Sequence, residues 1–244
     1  MLILGREIQS ILFDKDGTLI DFPSIWIPWI DDIFDYLSDT VPHCPLDKIE
    51  LRTAFGAGEN GDMVDPKGPL AIASIEESKT IIAYKLYENG IPWDSAVFYA
   101  SESIIVANKK EKNLRSFRPI AGIKEFLECL KANTIRLGVL TADDTERAWE
   151  HLKKAKLADY FEFVIGSDQV TNGKPFPDMA YLAKDRYGIS LSETMMIGDT
   201  NADMQLGKNA GVNVTVGIIT YADNNTNHLK DADVTIKGYK ELAT

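Results

Sequence analysis

Short apolar segments that end at polar residues recur along the chain, and they predict buried β-strands. The first, Ile8–Phe13, stops at the turn-forming residues Asp14-Lys15-Asp16-Gly17. Similar apolar segments span 135–140, 161–165, 194–197 and 212–216. Amphipathic stretches between them predict helices over 121–132, 145–155, 178–187 and 201–210. Strands that alternate with helices indicate an α/β fold whose parallel sheet is covered on both faces.

The stretch from residue 22 to residue 117 interrupts this alternation. It shows no convincing strand pattern, and its helical patterns span 24–38, 46–55, 70–88 and 95–112. Pro28 predicts a kink or a late start for the first of these helices. Glycine and turn residues over 56–69 predict a loop. We therefore expect an inserted α-helical domain at 22–117, with hinges near Pro23 and Pro119, and a core domain formed by 1–21 and 118–244.

Composition and charge limit the classes of function. Of the 244 residues, 45% are hydrophobic and 26% are charged, which is typical of globular proteins. The formal net charge of −11 argues against nucleic acid and anionic membranes as partners. Cys44 and Cys129 form neither a disulfide framework nor a zinc pattern. Because no signal peptide or membrane-spanning run is visible, we expect a cytoplasmic protein.

Two carboxylates, Asp14 and Asp16, follow the first predicted strand. A carboxylate at a strand end can attack phosphorus if a cation shields its charge. A second carboxylate two residues later can protonate the leaving oxygen and afterwards activate water. Gly17 allows the backbone to turn so that both side chains face one cavity. A plain Asp-Gly turn is the alternative, but Asp, Asp, Gly and Thr at four fixed positions rarely coincide by chance.

Three further segments carry candidate site residues, and each also has an ordinary structural explanation. Thr141 follows the strand over 135–140, where a hydroxyl can bind a phosphate oxygen or cap a helix. Lys174, in Gly-Lys-Pro-Phe-Pro, can neutralise a nucleophile and a phosphoryl group, or it is an exposed lysine in a turn. Asp199 and Asp203 lie four residues apart at a predicted helix start, which suits Mg²⁺ ligands and also simple acidic residues near a helix N-terminus.

Competing patterns fail on spacing or context. A calcium-binding loop counted from Asp14 or from Asp199 lacks the required glycine and the final glutamate. Gly56-x-Gly58-x-x-Gly61 matches a dinucleotide-binding pattern by letters only, because a helical segment precedes it and prolines follow. No metal-ligand spacing connects the three histidines, which we expect to be surface or packing residues: His43, His151 and His228.

Together, Asp14-x-Asp16-Gly17-Thr18, Lys174-Pro-x-Pro and Gly198-Asp199-x-x-x-Asp203 resemble, in this order, the motifs of the haloacid dehalogenase-like superfamily. The resemblance covers most of the core, and the three motifs together are highly specific. It is strongest to the phosphoglycolate phosphatase and pyrophosphatase branch. It implies a Rossmann-like doubly wound parallel sheet with an inserted α-helical cap domain, and a phosphatase that acts on a small phosphorylated metabolite.

The resemblance also implies a role for each candidate catalytic residue. Asp14 would be the nucleophile that forms an aspartyl-phosphate, and Asp16 would be the general acid and base. Thr141 would bind the transferring phosphate, and Lys174 would hold that phosphate and Asp14. The dehalogenase and phosphonatase branches keep no aspartate at the Asp16 position, so its presence favours an oxygen leaving group. Ala142 departs from the family, because many relatives carry a polar residue there.

The implied cofactor is Mg²⁺, with Asp14, the backbone carbonyl of Asp16, and Asp199 as ligands. Asp203 would bind a metal-bound water or orient the ligands. Three alternatives stay open: a phosphosugar mutase resembling β-phosphoglucomutase, a pyrophosphatase, and a non-catalytic binding protein on the same core. The cap contacts to substrate also stay open, with Arg52 and Lys67 as candidates, and so does the choice between a monomer and a homodimer.

Overall fold

A computed structural model of the chain describes residues 1–44, 46–60, 64–65, 67–114, 117–219 and 227–242, with the backbone alone for 111–114. The chain divides into two compact units, Met1–Asp21 with Phe117–Thr244 and Phe22–Ser116. The expected domains place Phe117 in the second unit, whereas the structure places it in the first. Among the described helices, none is long and apolar enough to cross a membrane.

A parallel sheet forms the centre of the first unit. The chain begins with a separate antiparallel pair, β1 (Leu2–Ile3) and β2 (Arg6–Glu7). The strands of the parallel sheet follow, in chain order β3 (Ser10–Phe13), β4 (Arg136–Leu140), β5 (Phe163–Ile165), β6 (Thr194–Gly198), β7 (Val214–Ile218) and β8 (Val234–Ile236). Their order across the sheet is β5-β4-β3-β6-β7-β8, and each neighbouring pair is parallel.

Helices make up most of the second unit and flank the strands in the first. Those of the second unit are α1 (Phe22–Thr40), α2 (Lys48–Ala54), α3 (Pro69–Ile72), α4 (Ile75–Glu88) and α5 (Trp93–Leu114). Those of the first unit are α6 (Ile123–Ala132), α7 (Thr145–Lys154), α8 (Asp178–Tyr187) and α9 (Asn201–Ala210).

The strand order places a topological switch point between β3 and β6. From β3 the chain moves outward to β4 and β5, and it then returns to β6 on the other side of β3. Phe13 lies beside Val139 in β4 and beside Ile197 in β6, so the carboxyl ends of three strands meet at one edge. All four residues of β3 are buried, as expected for a central parallel strand. The predicted Rossmann-like α/β fold is confirmed.

Helix boundaries in the second unit differ from the sequence prediction at two points. The helix expected over 70–88 is two helices, α3 and α4, because Ser74 starts the second. The Ser74 N–H donates to Glu77 Oε2 at 2.7 Å, and the Glu77 N–H donates to Ser74 Oγ at 3.3 Å. The late start expected at Pro28 is wrong, since α1 continues through that residue. Eight buried side chains on α1 provide packing that offsets the missing N–H.

Packing in the second unit centres on α5, which lies against both α1 and α4. Trp29 of α1 is fully buried, and its Nε1 donates to Asn108 Oδ1 at 2.7 Å. The Trp29 ring meets Trp26 and Phe55 edge to face, at centroid distances of 5.3 and 6.2 Å. These contacts satisfy the indole N–H while burying its rings, so the unit has an apolar core of its own.

Gly138 in β4 tests how tightly the sheet packs. A methyl group there would overlap the ring of Phe163, which itself stacks on Tyr187 at 4.1 Å. We expect Gly138→Ala to lower the free energy of unfolding by about 1–3 kcal/mol, because overpacking displaces the ring. Urea denaturation measures the change. The control is Gly238→Ala, at an extended φ of 173° with nothing within 4 Å, which should shift stability by less than about 0.5 kcal/mol.

Candidate functional site

Asp14, Asp199 and Asp203 converge at the carboxyl edge of the sheet, at the switch point between β3 and β6. One oxygen from each of these buried carboxylates lies within 4.8 Å of the other two. Asp14 directly follows β3, and its N–H donates to the Ile197 carbonyl at 2.8 Å, so the ladder between β3 and β6 still holds it. Asp199 directly follows β6, and Asp203 lies in the first turn of α9.

Lys174 places its ammonium group among these carboxylates. Its Nζ lies 2.5 Å from Asp14 Oδ1 and 2.6 Å from Asp203 Oδ1. Burial alone would lower the pKa of Lys174, but Asp14 and Asp203 raise it well above its usual value. The side chain therefore contributes a fixed positive charge to the cluster.

The cluster carries more negative charge than Lys174 can balance. Burial raises the pKa of the Asp14 carboxyl to about 7, with Asp203 and Asp16 acting in the same direction against Lys174. Burial and the charges of Asp14 and Asp203 raise the pKa of Asp199 well above its usual value. When all three carboxylates are ionised, they exceed the one ammonium by two negative charges, and this excess adds to burial in raising the pKa values. A divalent cation, which prefers oxygen ligands, fits both the charge and the donor set.

Short contacts fix the orientation of the carboxylates. Thr18 Oγ1 donates to Asp199 Oδ1 at 3.1 Å. The N–H and the hydroxyl of Thr200 both donate to Asp203 Oδ2, at 3.1 and 2.6 Å, so Asp203 binds the helix terminus with one oxygen and Lys174 with the other. Gly17 has a φ of +83°, and a side chain there would overlap Asp199. Only glycine permits this approach of the two chain segments.

Thr141 and Asp16 are the other two predicted catalytic residues. They follow the parallel neighbours β4 and β3 at the same edge of the sheet. Thr141 directly follows β4 and is buried, and its N–H donates to the Ile165 carbonyl at 3.1 Å. Its Oγ1 accepts from the Asp143 N–H at 3.2 Å, which leaves the hydroxyl proton able to donate to a phosphate oxygen. The Asp16 carboxylate is partly exposed and is contacted by Lys15.

Tyr239 supports the site, although sequence reasoning did not identify it. Its hydroxyl donates to the Thr18 carbonyl at 2.8 Å, and its ring stacks on Phe126 at 5.2 Å. Burial raises the pKa of the Tyr239 hydroxyl, and the nearby Asp199 and Asp14 raise it further, so the group remains a donor. A lone tyrosine 221 positions from its partner leaves no local signal in the sequence.

The candidate substrate contacts Arg52 and Lys67 belong to the second unit. The Arg52 guanidinium donates to both carboxylate oxygens of Asp31, at 2.9 and 2.7 Å, and to the Glu59 carbonyl at 2.7 Å. These contacts give Arg52 a structural role within its own unit. Lys67 is exposed, and its backbone N–H donates to Asp65 Oδ1 at 2.9 Å. Residues 61–63 and 66 of the predicted glycine-rich loop lie outside the described residues.

Comparison with known proteins identifies a family from the sequence and a matching fold among solved structures. The sequence pattern described as haloacid dehalogenase-like hydrolase matches residues 82–217. The chain is 30% identical to a protein named probable phosphatase IndB from Dickeya dadantii, over 91% of this chain and 86% of the relative. It is 30% identical to pyrophosphatase PpaX from Halalkalibacterium halodurans, over 97% and 95%. A crystal structure of a predicted phosphoglycolate phosphatase from Haemophilus somnus aligns over 97% of both chains, with a TM-score of 0.72 and 19% identity.

The excess negative charge gives a testable effect on stability. We expect Asp199→Asn to stabilise the protein in EDTA by about 1–2 kcal/mol at neutral pH, because without a cation the raised pKa of Asp199 means that folding must either bury its charge or protonate it, and the amide needs neither. The amide oxygen can still accept from Thr18. Chemical denaturation of both proteins measures the difference.

Asp233→Asn is the matched control with the opposite sign. Burial alone would raise the pKa of the Asp233 carboxyl, but hydrogen bonds from Thr215 lower it below its usual value. Its ionised form therefore stabilises the fold at neutral pH, and the amide should cost stability. A loss of stability in both variants would contradict the charge imbalance inferred for the cluster.

Proposed function

Since the chain belongs to the haloacid dehalogenase-like hydrolases, we propose that it is a Mg²⁺-dependent phosphatase that hydrolyses a small phosphomonoester through an aspartyl-phosphate on Asp14. The observation that carries the proposal is the group of three buried carboxylates around the Lys174 ammonium at the sheet's switch point. Relatives named as phosphatases and pyrophosphatases support the reaction class. The substrates that fit the proposal are phosphoglycolate-like esters and sugar phosphates.

The first step transfers the phosphoryl group to the protein. An Asp14 oxygen attacks phosphorus, and the bond from phosphorus to the leaving oxygen breaks. Asp16 gives its proton to that oxygen, so that the leaving group departs as an alcohol. Lys174, already in contact with Asp14, balances charge on the nucleophile and on the phosphoryl oxygens. The Thr141 hydroxyl donates to one of these oxygens and fixes the orientation of the group.

The second step regenerates Asp14. Asp16, now ionised, takes a proton from water, and the water oxygen attacks the phosphorus of the aspartyl-phosphate. The bond between Asp14 and phosphorus breaks, and inorganic phosphate leaves. One carboxylate thus serves as acid and then as base, which requires that its side chain reach both the leaving oxygen and the water.

Mg²⁺ would be held by Asp14, Asp199 and the Asp16 carbonyl, with Asp203 orienting the ligands, and it would supply positive charge for the phosphoryl oxygens. The excess of two negative charges among the buried side chains supports a divalent ion here. Phosphoryl transfer depends mostly on positioning and charge neutralisation, and both are properties of this cluster.

Replacement of the nucleophile tests the proposal directly. We expect Asp14→Asn to lower kcat for Mg²⁺-dependent phosphate release from p-nitrophenyl phosphate by at least about 10³-fold, because the amide cannot form the acyl-phosphate. Asp233→Asn, which changes a carboxylate outside the site, should keep kcat within about twofold. Near-normal activity of Asp14→Asn would refute the mechanism. Isomerisation of a sugar phosphate by the wild-type protein, without release of phosphate, would instead support the mutase alternative.

Metal binding can be tested without measuring activity. Mg²⁺ at about a hundredfold excess over its Kd should stabilise the wild-type protein by about 2.7 kcal/mol, since it binds the folded state. The melting temperature should rise with Mg²⁺ and return with EDTA, whereas NaCl at equal ionic strength should not reproduce the rise. In Asp199→Asn the increase should be largely lost. An equal increase in both proteins would place the ion elsewhere.

A further inference from the structure

Lys15 lies between the two motif aspartates, and its side chain is fully buried. Its ammonium lies 2.9 Å from one carboxylate oxygen of Asp16 and 2.8 Å from the other. It also lies 3.2 Å from Asp143 Oδ2 and 2.8 Å from His151 Nδ1. An ammonium group has three N–H donors and no acceptor, so Asp16 and His151 accept hydrogen bonds from it, whereas Asp143 faces it as an ion pair. Lys15 therefore lies in a buried cluster of charged and polar groups. The reaction proposed above gives a role to one of them, Asp16, and none to the others.

The charges of this cluster balance without an added ion. Burial alone would raise the pKa of the Asp143 carboxyl, but Arg147 and Lys15 lower it to about 2, so Asp143 is ionised. Because Nδ1 of His151 accepts from Lys15, that nitrogen carries no proton and the ring is neutral. With Asp16 ionised, the form that takes a proton from water in the second step, Lys15 and Arg147 match Asp16 and Asp143, two positive charges against two negative ones.

The partners of Lys15 are fixed by the fold of the first unit. His151 lies on the buried face of α7, and its ring stacks on Phe117 at 4.5 Å. Asp143 lies just before α7, and its backbone N–H donates to the Thr141 hydroxyl. The ammonium is therefore held from behind by two anchored groups, while its third contact goes to Asp16.

We infer that Lys15 is a positioning residue, which holds the Asp16 carboxylate at the place from which it exchanges protons with the leaving oxygen and with water. The inference rests on the function proposed above. The Asp16 side chain is 13% exposed, whereas those of Lys15 and Asp143 are 0% and 1% exposed. Lys15 therefore contacts the one carboxylate of the pair that reaches solvent. Burying an ammonium group costs free energy of desolvation. A role in holding Asp16 accounts for a buried lysine at this position.

Substrates with different leaving groups distinguish a positioning role of Lys15 from a purely structural one. When the bond from phosphorus to the leaving oxygen breaks, an alkyl alcohol needs the proton of Asp16, whereas p-nitrophenolate leaves without it. The quantity to compare is kcat/KM, which covers the steps through the first irreversible phosphoryl transfer. Loss of Asp16 positioning should therefore lower kcat/KM for an alkyl phosphate much more than for p-nitrophenyl phosphate.

The test uses Lys15→Met, which keeps the length of the side chain and removes its charge. For 2-phosphoglycolate or glucose 6-phosphate, whichever the wild-type protein hydrolyses, we expect kcat/KM to fall about 10–100-fold. For p-nitrophenyl phosphate, it should fall less than about threefold. Arg147→Met is the matched control, because it removes a cation that faces Asp143 in the same cluster but leaves Lys15 on Asp16. Its ratio of alkyl to aryl activity should equal that of the wild-type protein.

Equal losses for both esters in Lys15→Met, or no loss for either, would overturn the inference. Lys15→Met keeps the Asp143–Arg147 pair, and thermal melts show whether each variant is folded. If Lys15→Met does not fold, Lys15→Arg replaces it, with an unchanged alkyl-to-aryl ratio expected and a lowered ratio counting against simple positioning by charge. Asp16→Asn distinguishes a failure of the proposed function. If Asp16→Asn does not lower kcat/KM more for the alkyl ester than for the aryl ester, Asp16 is not the general acid. The inference about Lys15 is then refuted together with that role of Asp16.

Discussion

The approach of three buried carboxylates to a single ammonium is the constraint on which the rest of this structure depends. Asp14, Asp199 and Asp203 repel one another in a site that water does not screen, and Lys174 offsets one of their charges. Such an arrangement persists only if the surrounding fold holds it, because the side chains would otherwise separate. The central strands, the turn at Gly17 and the first turn of α9 provide this support.

Parallel strands explain how residues so distant in sequence meet. The carboxyl ends of β3, β4 and β6 lie at one edge, and the reversal of strand order between β3 and β6 opens a crevice there. Lys174 enters from the loop between β5 and α8, which contacts α9 through Asp203 and Asn209. The same feature explains why the cluster could be predicted: each acidic residue directly follows a short apolar run, or begins the helix after one, and these patterns are visible without a structure.

Other features depend on contacts that no local pattern records. Tyr239 donates to the Thr18 carbonyl from the opposite end of the chain, and β8 is a strand of three residues without a distinct apolar run. His151, expected to be a surface or packing residue, packs against Phe117, and its contact with Lys15 was not predicted. Its position on the apolar face of α7, beside Ala148 and Leu152, could have predicted that it is buried. Lys15 also gave a signal, since a lysine two residues after a buried strand needs partners for its charge.

Two neighbouring clusters of buried charge differ in net charge, and the difference supports the proposal that a cation binds at only one of them. Lys15, Asp143, Arg147 and Asp16 sum to zero, so this cluster is complete within the protein and can hold a side chain in place. The cluster around Lys174 has an excess of two negative charges when its carboxylates are ionised, so that form is incomplete without further positive charge. A site that is stable as it stands has no need of a ligand, whereas one with unbalanced charge gains free energy by binding one. In the proposed mechanism, the repulsion among Asp14, Asp199 and Asp203 would be the source of metal affinity, and the neutral cluster behind Asp16 would provide the rigidity that proton transfer requires.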